Sequence, residues 1–146
     1  MAIVILTDSA ADLPQTMYDD YGIDMISLHV YSGEEEYLDG RTLQPHKLFA
    51  EMRQGKIFKT AQAEPAAFKE YFERYAKRGD SCLYVGFSSG LSSTYQSAVL
   101  ARSDVLQSYP DVKIALIDTK CASLGQGLVV RQAAKWAKET DNLDEL

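Results

Sequence analysis

Residues 85–98 read VGFSSGLSSTYQSA, and six of these fourteen side chains, from Ser88 to Ser97, end in an aliphatic hydroxyl. The stretch follows an apolar run and precedes a helical pattern. Free backbone N–H groups at a helix start attract an anion, helped by the helix dipole. Hydroxyls of Ser89, Ser92 and Thr94 add donors without a full charge, and Gly90 allows a tight turn. The same residues also suit a plain capped helix, with Ser92 or Ser93 as the cap. Composition alone leaves the two readings level. A nucleotide phosphate site of the GxxxxGK[ST] kind needs a lysine, which GFSSGLSST lacks. A flavin phosphate or a carboxylate needs only neutral donors, so both stay open.

Other chemistries find less support. Asp8 follows an apolar run, as the nucleophile of an aspartyl phosphatase would, but the second Asp two residues on is Ala10. His29 reads as a strand residue and His46 as a first-turn helix residue, each isolated. No GxSxG elbow surrounds Ser88 or Ser89. Cys82 lies in an apolar run and Cys121 in a loop, with no CxxC or Cys/His cluster, so neither zinc nor a redox dithiol is indicated. Asp118 is expected to anchor neighbouring loop amides rather than act as an acid.

Strands and helices alternate around these residues. Ile3–Leu6, Cys82–Phe87 and Ile114–Ile117 are short continuous apolar runs, as strands buried on both faces are. Met25–Tyr31 is expected as another strand, Ser32–Arg41 as a loop, and Lys59–Glu64 as an irregular connection. Helices are expected from Pro14 to about Tyr21, from Thr42–Pro45 to about Arg53, and from Pro65 to Gly79. In the last of these, Phe68, Tyr71, Phe72, Tyr75 and Ala76 share one face. Two more run from about Ser92, with Tyr95, Ala98, Val99, Arg102 and Leu106 inward, and from about Ala122 to Glu139, carrying Val129, Val130, Ala133, Ala134 and Trp136. Gly125 and Gly127 in that helix imply a close backbone approach. The pattern predicts an α/β fold with a largely parallel sheet flanked by helices. Ligands in such sheets lie beyond the carboxyl ends of the strands. Asp8–Ser9, Ser88–Ser89–Gly90, Asp118–Thr119 and Thr60 are expected there.

A chain of 146 residues fits one domain, and 46% hydrophobic with 25% charged residues fits a packed core. Net charge is −6, which argues against nucleic acid as the main partner. The first residues lack a signal-peptide pattern and no apolar run is long enough to span a bilayer, so a cytoplasmic location is expected. Asp141–Leu146 reads as the cap and first turn of a further helix, so the chain is expected to be a fragment or shortened form.

Four segments together carry a resemblance: TDSAADLP at 7–14, KTAQAEP at 59–65, GFSSGLSSTYQSA at 86–98 and DTKCASLGQG at 118–127. Over essentially its whole length the chain resembles the amino-terminal domain of the DegV family of bacterial fatty-acid-binding proteins. The resemblance implies two α/β domains, the second not in this chain, with an acyl chain between or within them. It implies a carrier, not an enzyme, that hands a fatty acid to a separate fatty acid kinase for acyl-phosphate formation. It implies no cofactor beyond the bound fatty acid, and transient contact with a membrane surface. The family's ligand threonine matches Thr60, and its hydroxyl loop matches Ser88, Ser89 and Ser92, with Ser89 favoured as the direct contact. Asp8, Ser9, Thr94 and Asp118 are supporting candidates. Departures are Ala61, the displaced Pro65, Ser93 and Cys121. The family draws further head-group ligands, including a histidine, from its second domain, and neither His29 nor His46 matches it. A domain without its partner exposes apolar surface, through which it is expected to form a homodimer if truncated.

Overall fold

A computed structural model describes residues 2–146. Strands β1 (Ile3–Asp8), β2 (Ile23–Ile26), β6 (Ser81–Gly86) and β7 (Ile114–Asp118) form a parallel sheet in the order β2-β1-β6-β7. Because all four run the same way, Asp8, Gly86 and Asp118 end at one edge. A second, antiparallel sheet has the order β4-β3-β5, from β3 (His29–Ser32), β4 (Glu35–Leu38) and β5 (Lys59–Ala61).

Helices cover both faces of the parallel sheet. On one, α3 (Pro65–Arg78) and α4 (Thr94–Ser108) pack Phe68, Phe72, Tyr75, Ala98, Ala101 and Val105 against Leu6, Cys82 and Tyr84. On the other, α1 (Gln15–Tyr21) and α5 (Leu124–Trp136) pack Tyr18, Val130, Ala133 and Ala134 against Ile5, Leu83 and Val85. Alternate residues of each strand thus enter opposite cores, which is why the central strands read as unbroken apolar runs. Gly127 lets α5 approach the turn after β1: a Cβ there would lie 2.9 Å from the Ala11 carbonyl oxygen.

Several expectations need correction. Met25–Tyr31 is not one strand. Its first half pairs with β1, and its second half joins the antiparallel sheet. At the break the Leu28 N–H donates to the Ser9 hydroxyl at 3.0 Å, so a side chain replaces the ladder. The expected loop Ser32–Arg41 contains β4, and the expected irregular connection contains β5. In α4, Ala101 and Val105 face inward, while Arg102 turns out and its Nε donates to the Ile114 carbonyl at 2.7 Å. Trp136 in α5 is exposed. Asn142 caps a single 3-10 turn at Leu143–Glu145. Cys82, buried, and Cys121, half-buried, are both free.

Helix α2 (Pro45–Arg53) stands apart because it buries no residue, leaving Phe49 and Met52 half-exposed.

Candidate ligand-binding site

Asp8 is fully buried at the carboxyl edge of β1. One of its oxygens, Oδ2, accepts from the Tyr84 hydroxyl at 2.6 Å and from the Phe87 N–H at 3.0 Å. The other, Oδ1, accepts from the Ala10 N–H and from Gln126 Nε2, both at 3.1 Å. Four donors match the roughly four lone-pair sites of a carboxylate, leaving none for a ligand. Burial, reinforced by the Asp8 charge, pushes the Tyr84 phenol far above its ordinary value, so it stays a donor. Asp8 therefore shapes the site by fixing the backbone at Phe87. Gln126 completes this arrangement by donating also to the Thr7 hydroxyl at 3.1 Å. The sequence reading missed Gln126; a lone polar residue in the first turns of an otherwise apolar helix face is the signal that marks it.

The hydroxyl loop is largely satisfied from within. The Ser88 N–H donates to the Cys121 carbonyl at 3.0 Å, and the Leu91 and Ser92 N–H groups to the Ser88 carbonyl at 3.1 and 3.2 Å. The Gly90 N–H takes Ser88 Oγ at 3.2 Å, and the Thr94 N–H takes Ser92 Oγ at 3.1 Å. Asp118 Oδ1 accepts from the amides of Ser89 at 3.2 Å and Lys120 at 3.0 Å, and Oδ2 accepts from the Ser89 hydroxyl. The Ser89 hydroxyl, with these amides, holds the Asp118 carboxyl below the usual carboxylate range. Asp118 is thus an anchor for loop amides. The expected row of free N–H groups awaiting an anion is not what the loop presents, because tight turns and side-chain caps consume these donors.

The loop meets the antiparallel sheet and α2 around a cavity of about 630 Å³. Leu28, Val30, Leu48, Phe49, Met52, Phe58, Phe87 and Leu91 supply its apolar wall, and Asp39, Thr60, Gln62 and Ser92 its polar groups. A mostly apolar cavity of this size with a few polar groups is the form that small-molecule sites take. Thr60 and Ser92, from distant parts of the chain, line it together; Ser88 and Ser89 lie outside its wall. Thr60 is exposed, and its hydroxyl has no partner among the described residues. The buried Thr94 hydroxyl accepts from the Ala63 N–H at 3.3 Å and so ties the end of the β5 segment to α4. Ser9 supports from below through Leu28. No lysine or arginine lines the cavity among the described residues.

The parallel sheet covered on both faces, the added antiparallel sheet, and a mostly apolar cavity beside the hydroxyl loop define an α/β architecture with a candidate ligand-binding cavity. The chain belongs to the DegV family, whose model, "Uncharacterised protein, DegV family", matches residues 2–146. It is similar to DegV domain-containing protein CPE0026 of Clostridium perfringens, with 43% identity over 145 residues, 98% of this chain and 50% of that protein. Among solved structures it is similar to one described as fatty acid binding of a DegV family protein from Thermus thermophilus. That match has a TM-score of 0.84 at 32% identity, covering 99% of this chain and 50% of the other. A second is described as DegV, a fatty acid binding protein from Bacillus subtilis, with a TM-score of 0.89 at 26% identity, covering 99% and 51%. The chain thus spans about half the length of the relatives it matches.

Proposed function

We propose that this chain supplies half of a fatty-acid carrier, holding the acyl tail in the cavity beneath α2 and the carboxyl end near Thr60 and Ser92. The observation that carries the reading is the shared cavity: two hydroxyls from β5 and the loop stand in one apolar wall. About 15 methylenes leaving water are worth on the order of 12 kcal/mol at ~0.8 each. A tail taken from a membrane gains almost none of this, so head-group contacts and cavity shape supply the selectivity.

Ser92, which lines the cavity, takes the direct contact expected of Ser89, which lies outside it and is held by Asp118. The Ser92 hydroxyl then exchanges its bond to the Thr94 hydroxyl for the carboxylate. The protein acts as a cytoplasmic carrier rather than a catalyst, with no cofactor beyond its fatty acid, and presents the carboxylate to a fatty acid kinase. Transient membrane contact accompanies loading. Where the chain stands without the other half of its relatives' length, exposed side chains such as Leu124 and Leu128 favour self-association. A phosphate or flavin site in the hydroxyl loop has less support, because the loop's amides are already engaged.

Denaturing extraction of purified protein followed by mass spectrometry tests the reading. A co-purified long-chain fatty acid, or stoichiometric uptake of added oleate, is expected. No lipid and no uptake would overturn it.

A further inference from the structure

The cavity proposed for an acidic head group carries its one ionisable wall residue with the wrong sign. That residue is Asp39, the only titratable group among the described lining residues. Its position is fixed by the fold: at the end of β4, its N–H donates to the Leu28 carbonyl at 3.0 Å and its backbone bridges to Leu43. The Ser9 hydroxyl, which takes the Leu28 N–H at 3.0 Å, lies near the Asp39 carboxyl and favours its charged form.

The charged groups around Asp39 do not compensate it. Asp8 and Asp12 approach from β1 and the turn after it, and Tyr18 from α1. From α2 come only the apolar Leu48, Phe49 and Met52, and from β5 and its following residues the neutral Thr60 and Gln62. The adjacent cation, Arg41, is turned away, its Nη2 donating to the Met25 carbonyl at 2.8 Å and the Tyr71 hydroxyl at 2.6 Å. Burial, with the Asp12 and Asp8 charges behind it, raises the Asp39 carboxyl above its ordinary value, against the opposing pull of the nearby Ser9 hydroxyl and Gly40 amide.

Two carboxylates brought within a few ångströms of each other, away from bulk water, do not readily both ionise; the affinity of one for a proton rises strongly. We propose that Asp39 is a specificity-determining residue of this cavity, accepting an acyl head group only with a proton, as a neutral acid or an acid–carboxylate pair. This inference rests on the fatty-acid reading and adds to it a preference among protonation states. In water near neutral pH both acids are ionised, with ordinary values around 4. Binding therefore takes up a proton: carboxylate, Asp39 carboxylate and H⁺ yield one hydrogen-bonded pair carrying a single negative charge.

The test titrates the full chain with laurate and with dodecanol, which has the same tail and no charge, from about pH 6.5 to about pH 8.5. Laurate affinity is expected to fall by up to about tenfold per pH unit, the slope for one proton taken up, while dodecanol affinity stays level. In Asp39→Asn, which keeps a side-chain partner for Ser9, the laurate slope is expected to shrink and laurate to bind more tightly at the upper pH. Level laurate affinity in the unaltered chain overturns the inference alone, and needs no variant to fold. An equal slope in Asp39→Asn also overturns it, since desolvation of laurate itself would then account for the proton. Binding of neither probe overturns the fatty-acid reading and this inference with it.

Discussion

Ser92 works in two places, and the two are separable by measurement. Its hydroxyl lines the cavity and also accepts from the Thr94 N–H at the start of α4. Ser92→Ala is expected to weaken fatty-acid binding and also to lower stability by ~1 kcal/mol, the net worth of the turn hydrogen bond that holds the start of α4, whose cap position, Ser93, makes no side-chain cap bond. Thr60→Ala is expected to weaken binding by roughly 1–2 kcal/mol, about 5- to 30-fold, with little change in unfolding, because the Thr60 hydroxyl has no hydrogen-bond partner among the described residues. Ser89→Ala gives the opposite pattern. Fatty-acid affinity measured by titration stays as it was, while the Asp118 carboxyl, followed by NMR, titrates at a higher pH. Asp118 is lowered when folded, so its contribution to loop order is present above the unfolded value near ~4 and is lost as pH falls through the folded one. An unshifted Asp118 in that variant would contradict the anchoring account.

The glycine between β6 and the hydroxyl loop ties the sheet to the site. A Cβ on Gly86 would lie 2.6 Å from the Tyr84 ring and 2.9 Å from its hydroxyl, the group that bonds Asp8. Gly86→Ala is expected to cost ~1–3 kcal/mol in denaturant unfolding, the range for a forced steric insertion, and to loosen the Phe87 backbone. Stability equal to the parent would contradict the account of Asp8 as the fixed point of the loop. Helix α2 behaves differently because it buries no residue. Phe49→Ala with Met52→Ala is expected to leave stability within ~0.5 kcal/mol while weakening uptake of oleate, since those side chains wall the cavity. The α2 amides are expected to exchange hydrogen faster than those of α3, whose aromatic residues are buried.

The same contrast explains what could be read from the sequence. Strands β1 and β6 and helices α3 and α5 were legible because burial imposes composition: both faces of a covered strand must be apolar. Strand β7 was legible as an apolar run, but rather than being buried on both faces it lies at the sheet edge with Ile117 exposed. The antiparallel sheet was not, because β4 carries Glu35 and Glu36 at its exposed edge and β5 is short and exposed, pairing with β3 through contacts distant in sequence. The break at Ser27–Leu28 has no glycine or proline to announce it; it depends on a hydrogen bond from Leu28 to Ser9, nineteen residues away. Among the site residues, Thr60 and the hydroxyl loop stood out through motif and resemblance. That Ser92 rather than Ser89 reaches the cavity depends on Asp118 capturing Ser89. Asp39 carried no signal, since an aspartate before a glycine is an ordinary turn residue.

At the scale of the molecule, two cores clamp the parallel sheet, while the antiparallel sheet and α2 form a thinner annex holding the cavity. The well-buried cores and the thinner annex, whose α2 buries no residue, are thereby separated, an arrangement that suits the proposed carrier role. The exposed Leu124 and Leu128 lie on α5, outside the cavity wall. Location is thus open to direct measurement. A photoreactive fatty acid with a diazirine near the tail should, after irradiation and peptide mapping, label the α2 segment around Phe49 and Met52 together with Leu91. Labelling confined to the α5 surface around Leu124 and Leu128, with α2 and the loop untouched, would contradict the account.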